Sequence, residues 1–273
     1  MLRRKAYENR ARFALVLAIV FGMTVSASAA DIVLLHAAGS LRGGLTDVAA
    51  AFEKDAGIRV EARYGASGLL RDEIAGGAPA EVFASANMEH PAALAKAGKA
   101  GPVRLFARNT LCALVRPGLV VTPETLLERM LDPAVRLGTS TPKADPSGDY
   151  AFLVFEKADG LKKGARDALV AKALRLTGGP DSPAPPPDRS LYGALVAAGQ
   201  ADIFLTYCTG ALVAQRENPG QQIVALPQAL AVGADYGLTV VNGASLAAER
   251  LVSFILAPQG QSILARHGFV TVK

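Results

Sequence analysis

The chain has 273 residues, with 29 Lys and Arg against 24 Asp and Glu and 51% apolar residues. Five of the cations and one of the acids fall in the first thirty residues, which leaves 24 against 23 in the rest. That near-neutral remainder, without a basic stripe or interleaved aromatics, excludes a nucleic-acid surface, and no later segment is apolar enough to span a bilayer.

The elements begin with "MLRRKAYENRAR", "FALVLAIVFGM" and "TVSASAA". Basic residues, a short apolar run and small residues in that order are a secretory signal peptide over 1–30, cut after Ala29 or Ala30. Export to the periplasm is the expectation. About 243 residues remain, enough for one large domain or two lobes. Cys112 and Cys208 are the two cysteines. In an oxidising compartment they form a disulfide or remain two buried thiols, and both readings stay open.

"DIVLLHAAGSL" predicts a buried strand over Ile32–His36 that ends in a small-residue turn. "RGGLTDVAAAFEKDAG" is an amphipathic helix closed by Gly57. "IRVEARYG", "SGLLRDEIAGG", "EVFASA" and "MEHPAALAKAG" continue as strand, helix, strand, helix, the rhythm of a parallel sheet covered by helices. "VRLFARNTLCALVRPG" is extended. "TPETLLERMLDP" reads as a helix with Thr122 as cap and Pro123 at its first position. A strand "VRLGTSTP", a turn and helix "DPSGDYAFLVFEKA" and a helix "ARDALVAKALRLTGGP" follow. Beyond the proline-rich "DSPAPPPDRS" come helix "LYGALVAAGQ", strand "ADIFLTY", helix "TGALVAQREN" and strand "QQIVALP". "ADYGLTVVNG" is extended, and two helices close the chain. This predicts an α/β protein of two lobes, 31–110 with the returning 235–273, and 111–234. The chain crosses between them near Phe106–Arg116 and Ala231–Val241, which makes a hinge with a ligand cleft.

Four turns, "HAAGSL", "YGASGL", "DPSGDY" and "PDRSLY", lead small residues and Ser into helix starts. The first N–H groups of a helix lack partners and carry partial positive charge, so they suit an anion. Gly and Ala let backbone approach, and Ser40 and Ser67 add hydroxyl donors. Any one such Ser is most often a simple cap, and it is four of them in a two-lobe layout that point to a site. Tyr207 closes "ADIFLTY" where its hydroxyl reaches a cleft or its ring lies on the core rim. A serine hydrolase is the rival chemistry. It fails on "GASGL", where Leu69 replaces the last Gly of the nucleophile elbow, and it leaves only His36 near Ser40 with no third group. His36, His90 and His267 are too scattered for a zinc signature.

"AAGSL", "YGASGLL", "GAPAEVFASAN", "ADIFLTY" and the closing "ADYGLTVV…FILAPQGQSILARHGF" resemble the periplasmic molybdate-binding proteins of ABC transporters, over essentially the whole exported chain. The resemblance implies the type II periplasmic binding protein fold, no catalytic activity and no cofactor. The ligand it implies is molybdate or tungstate, bound as an oxyanion by neutral donors. It places Ser40 and Ser67 on the anion from the first lobe. Ser147, Arg189 or Ser190, and Tyr207 stand on it from the second. Arg189 stands where the family commonly has an aliphatic residue, so a different anion contacted by its guanidinium is the alternative. The resemblance also implies a monomer that delivers its ligand to an inner-membrane permease.

Overall fold

The computed structural model describes residues 32–183 and 189–272. The expected signal segment and the centre of the proline-rich loop lie outside the described residues.

The chain opens with strand β1 (Ile32–Ala38), a single turn Gly39–Leu41 and helix α1 (Arg42–Ala56). Leu45, Val48 and Phe52 of α1 recur at helical spacing and are buried. Gly57 ends the helix at φ 68°, left-handed geometry that costs glycine little. Strand β2 (Arg59–Gly65), helix α2 (Ser67–Ala75), strand β3 (Val82–Ser85) and helix α3 (Glu89–Lys96) follow. β1 lies between β2 and β3, parallel to both.

The long strand β4 (Arg104–Val115) leads to α4 (Leu126–Leu131), β5 (Leu137–Ser140), α5 (Pro146–Leu161), α6 (Ala165–Lys172), β6 (Leu174–Thr177), α7 (Leu191–Ala197), β7 (Ile203–Tyr207), α8 (Cys208–Glu217) and β8 (Gln222–Ala225). Strand β9 (Gly233–Val240), helices α9 (Leu246–Leu256) and α10 (Pro258–Arg266), and strand β10 (Val270–Thr271) complete it.

β4 changes partners midway. Arg104–Thr110 pairs with β9, and Leu111–Val115 pairs with β7. β9 also pairs with β3, so the order across the sheet is β2-β1-β3-β9-β4-β7-β5-β6, with β8 and β10 also on β4. The two extended segments expected to cross between lobes are therefore adjacent strands at the middle of one curled sheet. α9 and α10 return to α1, where the Phe254 and Phe52 rings lie 5.5 Å apart. No helix among the described residues is long and apolar enough to cross a membrane.

Two expected helices are corrected. α4 starts at Leu126, because Thr122 N–H donates to Thr125 Oγ1 at 2.9 Å and closes a separate turn ahead of it. "ARDALVAKALRLTGGP" divides after Lys172, where Ala173 is extended and Leu174–Thr177 joins β5 in parallel. Sheet pairing outweighs helix preference there. The cysteines form a disulfide: Cys112 of β4 is bonded to Cys208, the first residue of α8, with Cα atoms 4.9 Å apart.

Asp202 fastens the entry to β7. Its buried carboxylate accepts from Arg116 Nε at 2.6 Å, from Arg136 Nε at 2.9 Å and from the Arg136 backbone N–H at 2.8 Å. The Arg136 hydrogen bonds hold this carboxyl well below the usual carboxylate range. A depressed carboxyl stabilises the fold above its unfolded pKa, and that contribution is lost as pH falls. Asp202→Asn is expected to cost about 2 kcal/mol at neutral pH, with the gap to the unaltered protein narrowing below about pH 4. Denaturant unfolding at several pH values checks it, and a gap constant with pH would contradict the assignment.

Candidate functional site

Three strand ends and one helix start meet between the lobes. Ser67 is the first residue of α2, entered from the extended Ala66. Its Oγ accepts the Ala86 N–H at 3.2 Å, just past the end of β3. The carbonyl of the same Ala86 accepts the Tyr207 hydroxyl at 3.3 Å, from the end of β7. Ser67 and Tyr207, one from each side, therefore converge on a single residue. Both are 1% exposed, so a ligand reaches them only when the lobes part.

The side wall is built from close backbone approach. Gly68 N–H donates across the cleft to Ala144 O at 2.8 Å. A Cβ on Gly68 would stand 2.7 Å from that oxygen and closer still to the Lys143 carbonyl, so no larger residue fits. Lys143 itself has φ 69°, an uncommon conformation for a side-chain-bearing residue. Its N–H is held by Asp149 Oδ1 at 2.8 Å.

Ser147 lies on α5 just past this loop and is fully buried. Its N–H is already taken by the capping residue Asp145, whose Oδ1 lies 3.0 Å away. Burial pushes the Asp145 carboxyl up to about 6, against the pull of that same N–H. The Ser147 hydroxyl has no partner among the described residues, whereas the buried hydroxyls of Ser140 and Thr206, at the ends of β5 and β7, face the Tyr192 phenol, and Ser140 also faces Asp145. An unpaired buried donor is costly, so the Ser147 hydroxyl marks a place for a polar group.

Ser40 lies in the turn after β1, 3.1 Å from the hydroxyl of Tyr236. The Tyr236 ring stacks 5.5 Å from that of Tyr207, which brings Ser40 into the same neighbourhood. Burial drives the Tyr207 phenol well above its usual pKa, so it is a neutral donor. Arg189 and Ser190 make other contacts. Arg189 is exposed, the Ser190 N–H is held by both Glu217 carboxylate oxygens at 3.0 and 2.8 Å, and the Ser190 hydroxyl caps Gly193 N–H. No hydrogen bond among the described residues joins either to the other four.

No His–Ser bond joins His36 to Ser40 among the described residues. Burial, and then Arg63, lowers the His36 pKa. No group of three or more His, Cys, Asp or Glu among the described residues could hold a metal ion. Outside the buried residues, a groove of about 600 Å³ opens between the lobes, lined by Arg71, Glu89, His90, Lys143, Asp149 and Tyr150 among others. Sequence reasoning missed Asn109, Tyr236, Ser140 and Thr206. For Asn109 and Tyr236 the available signal was a hydrogen-bonding side chain within the crossing segments "LFARNTLCALV" and "ADYGLTVV".

A family model described as bacterial extracellular solute-binding protein matches residues 33–270. The chain belongs to this family. An uncharacterized protein of Pasteurella multocida strain Pm70, PM1146, is 33% identical over 236 residues, 86% of this chain and 96% of that one. The molybdate-binding protein ModA of Escherichia coli K12 is 27% identical over 250 residues, 88% of this chain and 89% of that one. Among solved structures, the sulfate-binding protein SubI of Mycobacterium tuberculosis H37Rv superposes with a TM-score of 0.74 at 23% identity, covering 89% of this chain and 88% of that one. These similarities run nearly end to end, so family membership covers both lobes and the cleft between them. Solute-binding proteins of this family capture a small ligand and work with a membrane permease.

Proposed function

We propose that this family member is exported to the periplasm and captures a tetrahedral oxyanion, molybdate or the similarly sized tungstate, between its lobes. It hands the anion to the permease of an ABC importer. In this reading 31–110 and 235–273 form one lobe and 111–234 the other. The observation that carries it is the meeting of Ser67 and Tyr207 over Ala86. Ser67 Oγ accepts there, so its hydrogen is left for a ligand, and Tyr207 gives up only a 3.3 Å bond to a carbonyl. Ser40 adds a third hydroxyl and Ser147 a fourth. A buried dianion must recover its lost hydration through hydrogen bonds, and neutral donors do this without a buried cation. The 27% identity to ModA over nearly the whole chain supports molybdate in particular. Arg189, exposed beside the Glu217 contact, has no part in this reading.

Thermal unfolding of the purified exported chain against molybdate, tungstate, sulfate and phosphate tests the ligand. A ligand at 100 times its Kd adds about 2.7 kcal/mol to the folded state. A shift with molybdate or tungstate alone supports the proposal, and a flat response to both overturns it. Ser67→Ala and Tyr207→Phe are each expected to weaken molybdate binding roughly ten- to a hundred-fold, the loss of one hydrogen bond to a charged group. Calorimetry reads the affinity, and unchanged affinity in both variants would displace the site.

A further inference from the structure

Ser40 Oγ is the end of a chain of side-chain hydrogen bonds. It lies 3.1 Å from Tyr236 Oη. Tyr236 Oη lies 3.3 Å from Asn109 Nδ2, and the same Nδ2 lies 2.8 Å from Thr209 Oγ1. The chain runs from the turn after β1, through the two crossing strands β9 and β4, to the start of α8.

The direction of its protons follows from one backbone contact. Asn109 Oδ1 accepts the Thr110 N–H at 2.9 Å, so the amide faces Tyr236 and Thr209 with its NH2 group. Both amide hydrogens donate, and Tyr236 Oη therefore accepts. A phenol has a single hydrogen, and the remaining partner of Tyr236 among the described residues is Ser40. Tyr236 donates to Ser40. Ser40 Oγ accepts, and its own hydrogen is left to point elsewhere. Burial drives the Tyr236 phenol far above its usual pKa, so the order is not reversed by ionisation. Packing against Phe106, Tyr207 and Phe269 accounts for the ring but not for the hydroxyl.

We propose that Asn109 and Tyr236 are positioning residues that fix the Ser40 hydroxyl as a donor into the cleft, through a relay carried on both crossing strands. The proposal rests on the reading of Ser40 as a ligand group.

The test is calorimetric affinity for molybdate in the full exported chain, with ligand-free thermal unfolding as the control for folding. Ser40→Ala comes first. If it leaves affinity unchanged, the ligand role of Ser40 fails and the relay falls with it. If it weakens binding, the relay is judged by Tyr236→Phe in two backgrounds. With Asn109 in place, Tyr236→Phe removes one neutral hydrogen bond and is expected to weaken binding roughly two- to ten-fold. Asn109→Asp replaces the donor with an acceptor. Tyr236 then donates to Asp, Ser40 donates to Tyr236, and the anion loses its contact. In that background Tyr236→Phe removes the acceptor of the Ser40 hydrogen and is expected to strengthen binding. The charge introduced by Asn109→Asp is common to both members of that comparison, so only the relay predicts the change of sign. The same sign in both backgrounds overturns it. If Asn109→Asp does not fold, the Ser40→Ala, Tyr236→Phe cycle decides. Tyr236→Phe is expected to cost nothing once Ser40 is Ala, and an undiminished cost overturns the relay.

Discussion

Reduction of the Cys112–Cys208 disulfide is expected to lower the stability of the ligand-free protein by about 4 kcal/mol, or a fall in unfolding midpoint of roughly ten degrees. The bond joins residues 96 apart in sequence, and a closed loop of that length removes much of the freedom of the unfolded chain. The double variant Cys112→Ala with Cys208→Ala should show the same loss without reductant. Ligand affinity is expected to change little, because Tyr207 is also held by the pairing of β7 with β4 at Leu111. Thermal scans with and without reductant measure the first effect and calorimetry the second. A midpoint indifferent to reductant would mean that the bond adds nothing to the fold, and a collapse of affinity would mean that it positions Tyr207.

On the proposed reading of the cleft as a molybdate site, Gly68→Ala should weaken binding roughly ten- to a hundred-fold while leaving the ligand-free protein folded. The added methyl meets the Lys143 and Ala144 carbonyls, which belong to the opposite side of the cleft. Overpacking of this kind costs about 1–3 kcal/mol, and here the cost falls on the closed state alone, so it appears in affinity. The loop cannot readily yield, because Lys143 is held at positive φ by the Asp149 contact. Small-angle scattering of the variant at saturating molybdate should show a more open particle than the parent. A variant that binds as tightly and closes as fully would show that the Gly68–Ala144 contact does not govern closure.

Much of the fold was legible because its signals are local. Leu45, Val48 and Phe52 state a helix by their spacing, and Gly57 states its end. Ser67 and Tyr207 were legible as site candidates because one opens a helix just past a strand and the other closes a strand at a turn. What was not legible depends on residues far apart. Nothing near Ser190 announces that Glu217, 27 positions on, takes its N–H. Leu174–Thr177 becomes a strand only because β5 offers it an edge. Ser147 was read correctly as a helix start, but its N–H in this conformation is committed to Asp145, two residues before it. The relay behind Ser40 spans 196 positions, from Ser40 to Tyr236, and no local pattern encodes it.

The partner switch within β4 bears on how the molecule can be divided. One strand serves both halves of the sheet, and α9 and α10 lie against α1 some two hundred positions earlier. No single cut then yields a fragment with a complete core. A chain ending before α9 would take away the Phe254 ring and the α10 packing that cover α1, and a chain starting after β3 would leave one edge of β9 unpaired. Limited proteolysis of the native protein should therefore give fragments that stay associated and unfold together, and recombinant halves should be recovered folded only when co-expressed.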